Sequence, residues 1–213
     1  MRCTIDVENS NDESMYGEEI EKLDLKKYGL DHLEGRNILT LDRPDLDKLL
    51  EALGNDDISL NVDIACTEEN IRELLSSSQC RRCGKCCLPN PLNPDSPGVE
   101  VFEEELQAMA LRTGQPYEDL RKKTTVGHST PYAFQRVKLG ITRWLPLPCP
   151  FHDREKGCQA YEERGVVCRV YPIIFTGDDE YMSIRVTCDY GKDVLRAAYE
   201  RLLQENPAAE MIL

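Results

Sequence analysis

Cys80-Arg81-Arg82-Cys83-Gly84-Lys85-Cys86-Cys87 sets four thiols within eight residues, and the rest of the chain is best read outward from what they hold. Thiolates two residues apart on a tight loop can turn inward onto one metal centre, and Gly84 frees the backbone between them for positive φ and close approach. Arg81, Arg82 and Lys85 favour the thiolate form and would offset the negative charge of a thiolate-ligated centre; a solvated loop surface is the plainer account of them. Burial as a small apolar side chain is the ordinary fate of an isolated cysteine such as Cys66. It accounts poorly for four thiols in a polar, basic loop. Successive side chains usually point apart, so adjacent Cys86 and Cys87 suit two neighbouring sites, or one ligand beside a spare thiol.

C-x2-C-x2-C is also the spacing with which bacterial-type ferredoxins supply three ligands to a four-iron cluster, with a distant Cys-Pro as a further ligand. Cys149-Pro150 fits that description, although in ferredoxins the Cys-Pro closing the run serves the second of two clusters. Cys158, Cys168 and Cys188 complete the candidates. Eight thiols make two four-coordinate sites, and one site with spare thiols satisfies the count equally. His152 stands at C-x2-H from Cys149, a spacing zinc sites use, but a lone loop histidine is more often a surface hydrogen-bonding residue. Trp144, Tyr161, Tyr171 and Phe175 are expected to pack around the site and exclude water.

The chain has 10 Cys in 213 residues, and its opening, MRCTIDVENSNDES, has neither the basic start nor the apolar centre of an export signal. The expected location is the cytoplasm, where structural disulfides are rare and metal or redox chemistry is the better account of many cysteines. A hydrophobic content of 40% with 31% charged residues predicts a soluble globular protein. No run approaches the roughly 20 apolar residues of a membrane span. The net charge of -13 is uneven: residues 1–75 hold 20 Asp/Glu against 8 Lys/Arg, and the remainder is nearly neutral. Such a surface repels phosphate backbones, so neither nucleic acid nor an anionic membrane is an expected partner. The acidic flank either solubilises the protein or steers a basic partner.

Residues 1–19 read as a frayed polar terminus. Leu46, Leu49, Leu50 and Leu53 predict an amphipathic helix over 42–54, and Ile58, Leu60, Val62 and Ile64 alternate as a strand. Thr67 caps a further helix that delivers the chain to Cys80. After the cysteine run, LPNPLNPDSPG is loop. A helix is expected over 100–113, closed by Gly114, and a short one from Pro116 to about Lys123. A hairpin is expected from Tyr132 to Leu147, a strand over 181–187 and a last helix over 193–204. The fold class is α+β: a small cysteine-rich, metal-centred domain over 76–213, with few strands and several short helices, preceded by an acidic α/β element over 1–75.

The ordered series Cys80 to Cys87, Cys149-Pro150-Phe151, Gly157-Cys158-Gln159-Ala160-Tyr161-Glu162-Glu163-Arg164 and Cys168-Arg169-Val170-Tyr171-Pro172 resembles the YkgJ-like family of zinc- or iron-chelating, Fe–S-cluster domains, over about residues 80–190. The resemblance implies metal chelation, with ligands at Cys80, Cys83, Cys86, Cys87, Cys149, Cys158 and Cys168, and less directly at Cys188. Two departures stand out. Arg164-Gly165 replaces the family's usual Arg-Pro, which bears on the rigidity of that turn, and His152 occupies a position the family tends to make apolar.

The leading expectation is an iron–sulfur protein with one or two [4Fe–4S] clusters, acting in electron transfer or as an accessory to a redox or client protein. Structural zinc in a binding module is the alternative, since four-cysteine sites with C-x2-C pairs need no redox role. A third class is an enzyme. Some proteins with this kind of cysteine domain resemble flagellin lysine methylases, but the chain shows no glycine-rich nucleotide loop, no H-E-x-x-H helix and no nucleophile elbow, so no catalytic residue is named.

Overall fold

The computed structural model describes residues 23–94, 96–127, 141–175 and 182–213. Its first helix, α1 (Arg43–Asn55), realises the leucine periodicity: Asp42 caps it by accepting from Asp45 N at 2.9 Å, and Leu49, Leu50 and Leu53 are buried. The alternating stretch forms strand β1 (Ser59–Val62), and Thr67 caps α2 (Glu68–Ser76) by accepting from Asn70 N at 3.2 Å. β1 finds its partner at the other end of the chain. It pairs antiparallel with β8 (Met182–Arg185), which also pairs with β7 (Ile173–Phe175), giving the sheet order β1-β8-β7. Leu60, Ile184 and Ile173 stand opposite one another across these strands and are fully buried. The last helix, α6 (Asp189–Glu205), adds Val194, Leu195, Ala198 and Leu202, so that side chains from residues 23–75, 166–175 and 182–213 build one hydrophobic core between them.

A second core occupies the middle of the chain. It is built on β2 (Val99–Phe102), α3 (Glu103–Thr113), α4 (Tyr117–Lys122), β3 (Thr125–Val126) and β4 (Thr142–Leu145), with sheet order β2-β4-β3. The hairpin β5 (His152–Asp153) and β6 (Gly157–Cys158) and the short helix α5 (Val166–Val170) follow. Three expected boundaries move. The helix expected from residue 100 begins at Glu103, because Val99–Phe102 pair with β4 and the ladder takes precedence over the helical pattern. The strand expected over 181–187 is Met182–Arg185, and the last helix starts earlier than expected, at Asp189. The second arm of the expected hairpin is β4, whereas its first arm from Tyr132, like the terminus over 1–19, lies outside the described residues. Among the described residues no helix is long and apolar enough to cross a membrane.

One carboxylate joins α3 to α5. Glu105 accepts from Phe102 N at 3.0 Å with Oε2 and from Val166 N at 2.8 Å with Oε1, and Arg169 lies 3.7 Å from Oε1. Gly165 lets the chains approach, since a Cβ there would lie 2.8 Å from Val101 Cγ1 and 2.9 Å from Glu105 Oε2. The Arg164-Gly165 turn is therefore held by a carboxylate and close packing. Glu105→Ala is expected to cost about 1–3 kcal/mol, the scale of hydrogen bonds to a charged group, read by chemical denaturation. A loss below a few tenths would show that the clamp is idle.

Candidate metal centre

The eight candidate thiols, Cys80, Cys83, Cys86, Cys87, Cys149, Cys158, Cys168 and Cys188, line one cavity of about 70 Å³, walled also by Val99, Met109, Tyr161, Tyr171 and Tyr190. The cavity lies at the seam of the two cores. Cys80 and Cys188 pack with the first core, and Cys87, Cys149 and Cys158 with the second. Among the described residues the thiols line a shared chamber rather than a closed coordination shell: no group of three or more His, Cys, Asp or Glu side chains already converges on one ion position. Cys66 is placed elsewhere, buried in the first core, and Cys3 lies outside the described residues.

Local structure accounts for how each thiol arrives. Gly84 adopts φ +78° and its carbonyl accepts from Cys87 N at 2.8 Å, which tightens the run into a single 3-10 turn over Lys85–Cys87. Cys87 O then accepts from Cys149 N at 2.8 Å, fastening the cysteine loop to the Cys-Pro segment. The hairpin β5–β6, its turn held by Asp153 Oδ1 accepting from Glu155 N and Lys156 N, brings in Cys158. Cys168 rides on α5, and Cys188 is the residue immediately before α6. Asp193 on α6 accepts from Ser78 Oγ and from Arg81 Nη2, each at 2.8 Å, so the start of the loop is tied to the helix that Cys188 precedes. Tyr190 donates to Leu75 O at 3.0 Å and closes the same joint.

The thiols are electrostatically unequal. Cys86 and Cys87 lie within hydrogen-bond reach (Sγ···Sγ 3.9 Å), and interaction with Cys87 holds Cys86 and Cys149 below the usual thiol range while the pKa of Cys87 is raised. Burial pushes Cys158 and Cys168 up, and Cys188 up to about 11. Buried thiols of that kind stay neutral at pH 7 unless a cation stands next to them, and a bound metal supplies that cation. Cys83 and Cys86 sit on the exposed rim, whereas Cys149 and Cys188 form the buried floor.

The cavity also bears on the donor set. Arg164 reaches it with Nε and Nη1 buried and without a hydrogen-bond partner among the described residues. Soft sulfur donors without imidazole fit zinc and iron–sulfur centres and do not fit calcium or magnesium. His152 is not among the lining residues. Its ring rests against Gly84, where a Cβ would stand 2.0 Å from Nε2. Trp144 lines a neighbouring pocket of about 660 Å³ rather than the cavity itself.

Sequence reasoning assigned no role to Arg164, Tyr190 or Asp193. Arg164 carried a signal, standing three residues after Tyr161 in the stretch that follows Cys158. Asp193 carried none, because its role depends on the crossing of α6 over the loop. A family model described as CxxCxxCC, "Putative zinc- or iron-chelating domain", matches residues 79–189, from just before Cys80 to just after Cys188. No curated protein and no solved structure matches the chain. More than half of the chain is thus covered by a match spanning all eight thiols of the cavity, and the protein belongs to the CxxCxxCC family of zinc- or iron-chelating domains.

Proposed function

We propose that this protein holds an iron–sulfur centre, one or two [4Fe–4S] clusters, on Cys80, Cys83, Cys86, Cys87, Cys149, Cys158, Cys168 and Cys188, and works in the cytoplasm in electron transfer or as an accessory to a redox or client protein. The observation that carries it is the gathering of eight thiols, and no imidazole, on one cavity. All-cysteine ligation with surplus thiolates is the habit of iron–sulfur centres. Bound there, such a cluster would supply one-electron chemistry. The chain's own part is to hold the sulfurs, to exclude water with Met109, Val99, Tyr171 and Tyr190, and to leave Cys83 and Cys86 on the rim where a partner approaches.

The second reading, structural zinc, is favoured by the position of the cavity at the seam, where a metal would staple two cores. Anaerobic purification with an absorbance spectrum and metal analysis separates them. A brown protein bleached by dithionite, with iron equal to acid-labile sulfide, is the expected result. A colourless protein with stoichiometric zinc and no sulfide would replace the redox reading with the structural one.

A further inference from the structure

We propose that Arg164 is the charge partner of the thiolate centre, donating from Nε and Nη1 to anionic sulfur inside the cavity. The proposal rests on the metal reading above and goes beyond it by naming the residue that makes the centre electrostatically tolerable. The cations of the cysteine loop are the obvious candidates for that task, and two of them are committed elsewhere. Arg81 is paired with Asp193 at 2.8 Å, and Arg82 is exposed, 3.6 Å from Glu162, with its guanidinium 3.9 Å from the centre of the Tyr161 ring. Lys85 is exposed on the outer side of the turn and is not among the cavity's lining residues.

Arg164 lines the cavity and stacks on Tyr161 as Arg82 does, and differs in its ion pairing and in the burial of its N–H groups. Its guanidinium lies 3.7 Å from the centre of the same Tyr161 ring, and among the described residues it forms no ion pair. It lines both the thiol cavity and a broad groove of about 1370 Å³ running past Cys80, Tyr161 and Tyr190, so it stands in the wall between them. Two of its N–H-bearing atoms are buried without an acceptor. A guanidinium does not relieve this by losing its proton, because it stays charged throughout the accessible pH range. What the cavity offers as acceptors are sulfurs. Neutral thiols accept weakly, whereas thiolates accept charge-assisted bonds, so Arg164 is satisfied in the metal-loaded state and left wanting without it. In an iron–sulfur centre a fixed cation at this place stabilises the more negative, reduced state and raises the reduction potential.

The test is a competition titration of the metal-free full-length protein with zinc alone against a chromophoric chelator, for wild type, Arg164→Gln, Arg164→Lys and Arg82→Gln. Arg164→Gln is expected to weaken zinc binding about 10–100-fold, the range found when an outer partner of a metal ligand is lost. Arg164→Lys should recover part of the loss, and Arg82→Gln should stay close to wild type. In protein reconstituted with ferrous iron and sulfide, the reduction potential of Arg164→Gln should move negative. Wild-type zinc affinity in Arg164→Gln, or an equal loss in Arg82→Gln, would overturn the role of Arg164 while leaving the metal centre standing. A lower melting temperature of metal-free Arg164→Gln that matches the loss in the loaded form would overturn it in favour of plain packing. Wild type that takes up neither zinc nor iron would overturn the metal reading itself.

Discussion

Replacing Cys83 by alanine is expected to strip the protein of most of its metal, while replacing Cys66 by alanine leaves metal content at the wild-type level. Both residues are cysteines of the same chain, and position alone separates them. Cys83 lies on the rim of the cavity, whereas Cys66 is buried among aliphatic side chains of the first core. Losing a ligand should weaken binding by more than the roughly 10–100-fold associated with an outer-shell partner. Losing the buried Cys66 sulfur should cost about 1 kcal/mol of folding stability, as small deletions from a packed core do. Metal analysis of the two purified variants, with a denaturation curve for each, reads both effects. Equal metal loading in the two would remove Cys83 from the ligand set.

Gly84→Ala should be nearly as damaging to the centre, for two separable reasons. Gly84 sits at φ +78°, where a non-glycine residue costs about 1–3 kcal/mol in backbone strain. Its added Cβ would also stand 2.0 Å from His152 Nε2, so the ring must leave its place before the turn can keep its shape. Gly29 provides the control, since it has φ +67° and a Cβ added there would meet nothing within 4 Å. Gly29→Ala is therefore expected to cost strain alone and to leave metal content untouched. Gly84→Ala should lose metal, and the double change with His152→Ala should restore part of it. A double variant no better than Gly84→Ala would mean that strain, and not the histidine, sets the shape of the loop.

Much of the local structure is legible in the sequence because its causes are local. The leucine spacing of α1, the Thr67 cap of α2 and the alternation around Leu60 each depend on neighbours a few residues away. The extended backbone of Val99–Phe102 is hidden for the opposite reason: the stretch is extended because β4 lies beside it, about forty positions later. The same holds for the pairing of β1 with β8, which makes the acidic third and the end of the chain share a core. At the candidate centre, residue identities announce the chemistry, since thiols at C-x2-C spacing have few other uses. Their convergence from five separate segments cannot be read from spacing, and neither can the orphaned N–H groups of Arg164, which exist only because of how that side chain is enclosed.

The seam between the two cores makes the cavity depend on parts of the chain far apart in sequence. The wall of the cavity is finished by Cys188, Asp189 and Tyr190, and these lie at the head of a helix whose seating needs the strand and helices that precede the cysteine run. The first seven thiols of the cavity do not by themselves make a closed chamber. A chain lacking the last helix is therefore expected to present an open, half-built set of thiols to any metal that reaches it.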